Sequence, residues 1–570
     1  MAKDRPGSTP PEASAAIIFE PDGYVLSGPK LMGRQAAGHS FLRAAVDRAK
    51  GRDLWCCTPS RQSAEVFKQV VLDLDPTVAP RWCNPGQFDI LKTVGAIYYP
   101  GPNINDAARL RLRAGADAYS LCGVTHTTAS HLAMDSIADL LTAPVMPWDA
   151  LICTSKAVVE TVNTLLEAER SYLQWRLNAP VKVDLPQLPV IPLGVHCQDF
   201  NFEEAERAAA REALNVADDE IVALFVGRLS FHAKAHPHPM YAALQEAAKR
   251  SGRRVCLIMC GWFSSENAEQ AFREGATQVC PDVRCIFTNG KKEADRKQSW
   301  VAADVFVSLS DNIQETFGLT PLEAMAAGLP VIVTDWDGYK ETVRDGIDGF
   351  RIATWMPAAG AGQQIAKAYE AATINYDTYC GLSCQTISLD VDTLTARLCD
   401  LIVDPALRRR LGDAGRKRAR ETFDWSVIYK QYEDLWVELE RIRHAAPAFA
   451  SVKTMLAEAP NAAASRMDPF RSFSHYPSKT INFNTKVELR PGATFEAYRS
   501  VAVMKYYKPM EKMHPRPELA QAIFEALKNA PKQHGAMTVG KLASEVRKRN
   551  NIEVVLAVAT LSKMNMIDLG

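Results

Sequence analysis

Between about residues 15 and 335, short unbroken apolar runs alternate with helix-length amphipathic stretches. The runs include 53–57, 94–98, 149–153, 221–225, 255–259, 304–308 and 331–334. None alternates apolar with polar at period two, so none reads as a strand with one wet face. Continuous runs suit parallel strands buried on both faces and joined by helical crossovers. The span 15–445 is long enough for two such doubly wound α/β units. Residues 190–195 read as a last strand and the link between units. Phe423-Asp-Trp425 opens a long helix, roughly 426–443.

Beyond residue 445 the pattern changes. Residues 445–471 are rich in Ala and Pro and read as a linker. Within 472–507, Val487, Leu489, Val501 and Val503 alternate, which predicts short strands. Leu519, Ile523 and Leu527 then form one helical stripe and Leu542 and Val546 another, followed by 554–561 and a closing 564–568. Three short helices and a terminal strand resemble a winged-helix module. The predicted organisation is a disordered N-terminus 1–14, Rossmann-like domains 15–195 and 196–425, and a helix 426–445 crossing back to the first domain. A linker with short strands at 446–510 and a winged-helix-like module at 511–570 complete it.

Composition changes this picture in two places. A chain of 570 residues with 47% hydrophobic and 23% charged positions is an ordinary soluble globular composition, too long for one core. Net charge is zero, which excludes a general polyanion binder, yet residues 446–570 carry 18 Lys+Arg against 10 Asp+Glu. A tail of +8 on a body of −8 predicts a separate surface with its own partner. No apolar run approaches the ~20 residues that span a bilayer, and residues 1–15 lack the apolar core of a signal peptide. The 13 cysteines include Cys56-Cys57 and Cys380-x3-Cys384, neither with a second matching pair, so zinc is not expected. Cys153, Cys256 and Cys260 sit in apolar runs and read as core residues. A reducing, cytoplasmic setting is the expectation, with peripheral membrane contact through the tail left open.

The chemistry is densest at 308–350, SLSDNIQETFGLTPLEAMAAGLPVIVTDWDGYKETVRDGIDGF. Thr320-Pro-Leu-Glu323 predicts a helix start with Thr320 as cap, and Gly328 and Pro330 predict its end. Free amides at that start, behind Glu315-Thr316-Phe317-Gly318-Leu319, suit a diphosphate, and Gly318 lets backbone approach a ligand. Glu315 and Glu323 flank this cradle and suit polyol hydroxyls; each also has a plain reading, Glu323 as a capping residue and Glu315 as a solvated loop acid.

This segment resembles the retaining family-4 glycosyltransferases of GT-B fold, whose signature is Glu-x7-Glu with Phe-Gly-Leu inside and Glu-Ala-Met-Ala-x-Gly-x-Pro-Val following. The resemblance covers about 15–445, densely at 308–350. It implies an α/β GT-B architecture of two Rossmann-like domains, the first on the acceptor side and the second holding a nucleotide-sugar donor. By the same resemblance, Arg228 and Lys234 would clamp the donor diphosphate, Glu315, Thr316, Phe317, Gly318, Leu319 and Glu323 would bind donor, and His126 would touch the donor sugar. Gly33, in a predicted first loop 33–39, would lie near phosphate and acceptor. Arg34 is not a family constant; it fits an anionic acceptor or a surface ion pair. Leu193 and His196 depart from the family's interdomain Asn-Gly-Val-Asp, and no role is carried to them. His232, His236 and His238 replace a shorter family loop and read as solvated histidines rather than a metal site.

The implied reaction moves a hexosyl unit from a nucleotide-sugar to an unidentified sugar, lipid or protein acceptor with retention of configuration, in polysaccharide or glycoconjugate synthesis. It needs no cofactor beyond the donor. Pairs at Asp73/Asp75, Asp335/Asp337 and Asp390/Asp392 hold metal in the other large transferase fold; here the helix start and basic clamp take that role and no essential metal is expected. Two rival readings are a sugar-nucleotide epimerase on the same scaffold and a regulator whose tail binds nucleic acid through Lys541, Arg547, Lys548 and Arg549. A homodimer or membrane-surface contact is the preferred reading of the tail.

Overall fold

The computed structural model describes residues 14–25, 33–530, 537–546 and 551–570. The expected disordered segment 1–14, except its last residue, lies outside them, as do Arg547, Lys548, Arg549 and the side chain of Arg34. The chain divides after Ala463 into two units.

The first unit holds two six-stranded sheets, and every pairing within them is parallel. Strands β1 (Ala16–Ile18), β2 (Asp53–Cys57), β3 (Ala79–Cys83), β4 (Ala96–Tyr98), β5 (Ser120–Val124) and β6 (Ala150–Ile152) form the first sheet in the order 3-2-1-4-5-6. Strands β7 (Ile221–Leu229), β8 (Val255–Phe263), β9 (Arg284–Asn289), β10 (Val305–Ser308), β11 (Val331–Thr334) and β12 (Gly349–Ile352) form the second, in the order 12-11-10-7-8-9. Both are the doubly wound dinucleotide-fold order. The central strands are buried on both faces: all five residues of β5 and all four of β10 and of β11 are buried. That burial explains their unbroken apolar runs.

The edges are where the pattern misleads. β3 reads Ala-Pro-Arg-Trp-Cys, with Pro80 half-buried and Arg81 exposed; it is an edge strand, the place in a sheet that tolerates proline. Residues 190–195 do not form the expected strand. Prolines at 189 and 192 remove ladder donors, leaving single bridges from Val190 to Cys153 and from Val195 to Asp424. The first-domain sheet is pinned from below by Arg111, whose guanidinium forks onto Asp149 at 2.6 and 2.7 Å with both side chains fully buried. Asp149 also accepts the Leu121 and Met146 amides at 2.8 Å each, so the buried charge is compensated.

The helix Trp425–Ala445 returns from the second domain to the first. Trp425, Ile428, Tyr432, Trp436 and Leu439 are buried in the same cluster as Ile17, Phe41 and Tyr98. Each such side chain contributes about 1.5–3 kcal/mol. Gly194 lies against the Trp425 ring, where a Cβ would come within 2.4 Å, and the indole donates to Ser40 at 2.5 Å. The expected linker 445–471 is partly helical, over Ala450–Glu458.

The second unit has its own core. Leu519, Ile523, Leu527, Leu542, Val554 and Leu561 pack together with Val487 and Ile567. Its sheet is antiparallel, with β13 (Lys486–Leu489) between β14 (Met537–Thr538) and β15 (Ile567–Leu569), and helices at Phe495–Ala502, Pro517–Lys528, Val539–Glu545 and Asn551–Lys563. Val501 and Val503 lie in and just past a helix rather than on the expected strand.

Candidate active site

In a doubly wound sheet the carboxyl ends of strands at the point of reversal leave a crevice. In the second domain that point lies between β7 and β10. The nine-residue β7 runs past its predicted end at 225, and its penultimate residue is Arg228. The loop behind it carries Lys234, and Arg228 Nη2 donates to the Ala233 carbonyl at 3.5 Å. β10 ends at Ser308 and opens into the loop that carries Glu315. In the first domain β5 ends at Val124, two residues before His126.

The loop after β10 closes on a glycine that nothing else replaces. Gly318 has φ +81, and a Cβ there would meet the Tyr339 ring at 2.1 Å. It is the N-cap of the helix Leu319–Ala327, so that helix begins one residue before Thr320 and ahead of the expected cap. Thr320 therefore lies inside the first turn and makes no capping bond, and Glu323 is not part of a capping box. Gly328, left-handed at φ +78, ends the helix as predicted. Phe317 and Thr316 are buried behind the turn.

Charge in the cluster is uneven. Glu315 is paired with Lys234, the two side chains being 12% and 28% exposed. Burial works to raise the Glu315 pKa, but Lys234 and the Phe317 and Thr316 amides outweigh it and hold the carboxyl below its ordinary range. Glu323 has no such partner; burial pushes it up to about 7 against the weaker pull of Arg296 and Lys234. Asp311 is pushed to about 7 by burial, accepts the His236 amide at 3.3 Å, and leaves Oδ1 buried without a partner among the described residues. Asp337 also rises to about 7, from burial and the nearby Glu315, while accepting from Ser155 at 3.1 Å.

The two domains meet along a polar seam at this cluster. Thr316 Oγ1 donates to the His126 carbonyl at 3.2 Å, and Thr154 Oγ1 donates to the Thr316 carbonyl at 3.3 Å. Ser155 reaches Asp337, and the Lys156 amide donates to Glu341 at 2.5 Å. A helical hairpin, Gln363–Glu370 and Tyr376–Cys384, spans the same gap. Tyr369 stacks on His131 at 3.7 Å and on Tyr379 at 4.3 Å, and the Tyr376 hydroxyl lies 3.2 Å from Thr127 Oγ1. At its other end Gly381 lies against His232.

Arg228, Lys234, Glu315, Thr316, Phe317, Gly318, Leu319 and Glu323 thus fall on one loop-and-helix surface of the second domain, with the His126 backbone bonded to it. Gly33 opens the helix Gly33–Arg48 and is not in the predicted loop. His232 and His236 are half-buried rather than solvated, His232 against Ser230 Oγ at 3.2 Å; His238 is exposed. The Asp pairs have structural partners: Asp75 binds Thr77, Asp390 caps the helix Val391–Val403, and Asp335 meets Arg351 at 3.3 Å. No group of three or more metal-ligating side chains occurs among the described residues. Sequence reasoning missed Asp311, the 154–156 seam and the hairpin. The one signal available in the sequence is the turn-forming dipeptide Asp337-Gly338; in the structure Asp337 is held at φ +43. Two surface cavities of about 490 and 410 Å³ flank the helix Ala450–Glu458 and contain none of these residues.

Residues 206–371 match the family model described as glycosyl transferases group 1. A D-inositol 3-phosphate glycosyltransferase of Nocardia farcinica is 30% identical over 185 residues, 31% of this chain and 40% of that protein. An alpha-maltose-1-phosphate synthase of Mycobacterium tuberculosis is 25% identical over 392 residues, 63% of this chain and 88% of that protein. Thus this chain spans less than half the length of the Nocardia relative and most of the mycobacterial one. Among solved structures, Anabaena Alr3699/HepE in complex with UDP and glucose aligns over 75% of this chain and all of its own, with a TM-score of 0.47 and 16% identity. Within its second domain, over residues 206–371, the chain is similar to the glycosyl transferases group 1.

Proposed function

We propose that the chain is a retaining, metal-independent glycosyltransferase that moves a hexosyl unit from a nucleotide-sugar to an acceptor in polysaccharide or glycoconjugate synthesis. The observation that carries this reading is the Lys234–Glu315 pair set beside Arg228 and the Leu319–Ala327 helix start, in a domain that matches the family. The donor diphosphate takes the helix amides, Arg228 and Lys234. As the sugar–phosphate bond breaks, charge grows on the leaving diphosphate, and these fixed positive groups stabilise it more than they stabilise the bound donor. Glu323 accepts from ribose hydroxyls and Glu315 from sugar hydroxyls, while holding Lys234 toward the phosphate. The acceptor hydroxyl attacks on the face the diphosphate leaves, and the departing phosphate takes its proton, so anomeric configuration is retained. A second carboxylate placed for double displacement is not needed. His126 and Gly33 lie on the acceptor-side domain and complete the proposed set. The proposed partners are the donor, a sugar, lipid or protein acceptor, and a homodimer or membrane-surface contact of the tail.

The test is a panel of nucleotide-sugars assayed for nucleoside diphosphate release, with chelator present throughout. Release from one member in chelator, abolished by Arg228→Ala, supports the reading. No release from any member, or activity restored only by a divalent ion, contradicts it.

A further inference from the structure

Large exposed apolar side chains are sparse in the first unit and crowded in part of the second. Of 27 such side chains among the described residues, the first 463 positions hold 15, while ten lie between 467 and 513. They form two stretches. Met467, Phe470, Phe473 and Tyr476 recur every third residue, from 47% to 73% exposed, with Phe483 beyond them. Val503, Met504, Tyr506, Met510 and Met513 form the second stretch, from 41% to 70% exposed. These side chains are surplus to the core, since the unit buries a separate set around Leu519, Ile523 and Leu561.

Cations are interleaved with both. Residues 466–483 carry Arg466, Arg471 and Lys479 against one acid, Asp468, whose carboxylate is turned to the Phe470 amide at 3.0 Å. Residues 503–513 carry Lys505, Lys508 and Lys512 against Glu511. Aromatic and methionine side chains among Lys and Arg are the composition of a surface that lies in a lipid interface, rings at the acyl boundary and cations at headgroup phosphates. A nucleic-acid surface has less support among the described residues. The helix Asn551–Lys563, which a winged-helix module would use for reading bases, presents Ile552, Val555, Leu556 and Ala559 rather than a basic face.

We propose that residues 466–483 and 503–513 are a docking surface for an anionic lipid bilayer. The contact is peripheral; no helix among the described residues is long and apolar enough to cross a membrane. This deepens the membrane-contact reading of the tail but does not depend on the transfer chemistry, so each can fail alone.

The experiment is co-sedimentation of the full chain with phosphatidylcholine vesicles, with and without phosphatidylglycerol, at low and physiological salt. Association is expected only with phosphatidylglycerol and is expected to weaken with salt. Phe470→Ser/Phe473→Ser/Tyr476→Ser and Tyr506→Ser/Met510→Ser should each lose about tenfold or more in apparent affinity. Because these side chains are exposed, both variants should keep the wild-type melting temperature. Lys505→Glu/Lys508→Glu should abolish binding at physiological salt. No vesicle association, or association unchanged in both serine variants, would overturn the proposal. So would variants whose only effect is on single-stranded DNA binding or on oligomeric mass.

Discussion

Glu315 and Glu323 lie eight positions apart, and the protein shifts them in opposite directions. Lys234 and two amides hold Glu315 ionised despite burial, whereas Glu323 is raised from 4.5 to about 7 because burial meets only weaker, unpaired attraction. The sign of the consequence is fixed by linkage. A folded-state pKa above the unfolded value gives stability that is fully present below about 4.5 and is lost as pH rises through about 7. Unfolding free energy of the wild type should therefore fall between about pH 5 and pH 8 more steeply than that of Glu323→Gln. Equal slopes would remove Glu323 from the account. Donor affinity should run the other way, rising as the carboxylate forms, and Glu323→Gln should weaken donor binding by about 1.5–3 kcal/mol with little pH dependence. Arg228→Ala should lower turnover about 10²-fold or more while leaving the melting temperature close to wild type. Lys234→Ala should lower turnover as much and also melt earlier, because it leaves the buried Glu315 carboxylate without its partner. Early melting of Arg228→Ala without the loss of turnover would mark that residue as structural.

At the scale of elements, the loop that carries Glu315 depends on one backbone conformation. Gly318→Ala would place a Cβ in the Tyr339 ring at a positive φ, and should cost about 1–3 kcal/mol in denaturant unfolding as well as donor binding. Unchanged stability would contradict the geometry. Removing one partner of the buried Arg111–Asp149 fork by Asp149→Ala should cost more, about 3–5 kcal/mol, with no compensating solvation. These elements differ in how plainly the sequence announces them. β11 is legible to the residue because both its faces are buried and its run is unbroken; β3, on the edge with Pro80 and Arg81, gives no apolar signal. The loop that carries Glu315 is legible because Glu-x7-Glu with Phe-Gly-Leu is a local pattern. The helix starts two residues before its expected place because Gly318 caps with its backbone conformation, which competes unseen with the Thr320 hydroxyl. The 154–156 seam and the 363–384 hairpin were not legible. Their meaning lies in what they touch across the crevice, Thr316, Asp337, Thr127 and His131, and those partners are 150 or more residues away in most cases.

For the molecule as a whole, the proposed division of labour is catalysis in the first unit and docking in the second. Each unit buries its own apolar cluster, so a chain ending at Ala463 should fold, release nucleotide from donor, and lose association with anionic vesicles. Loss of donor binding in that shortened chain would show that the second unit helps build the site. The central claim is that the surface between β7 and the Leu319–Ala327 helix binds a nucleoside diphosphate through Arg228 and Lys234. Its most direct test is calorimetric titration of UDP, GDP and ADP, in chelator, into the wild type and into Lys234→Ala. One of the three should bind the wild type with a dissociation constant of about micromolar order, and the variant should bind it about tenfold or more weakly. Binding of none of them, or equal binding to both proteins, would contradict the account.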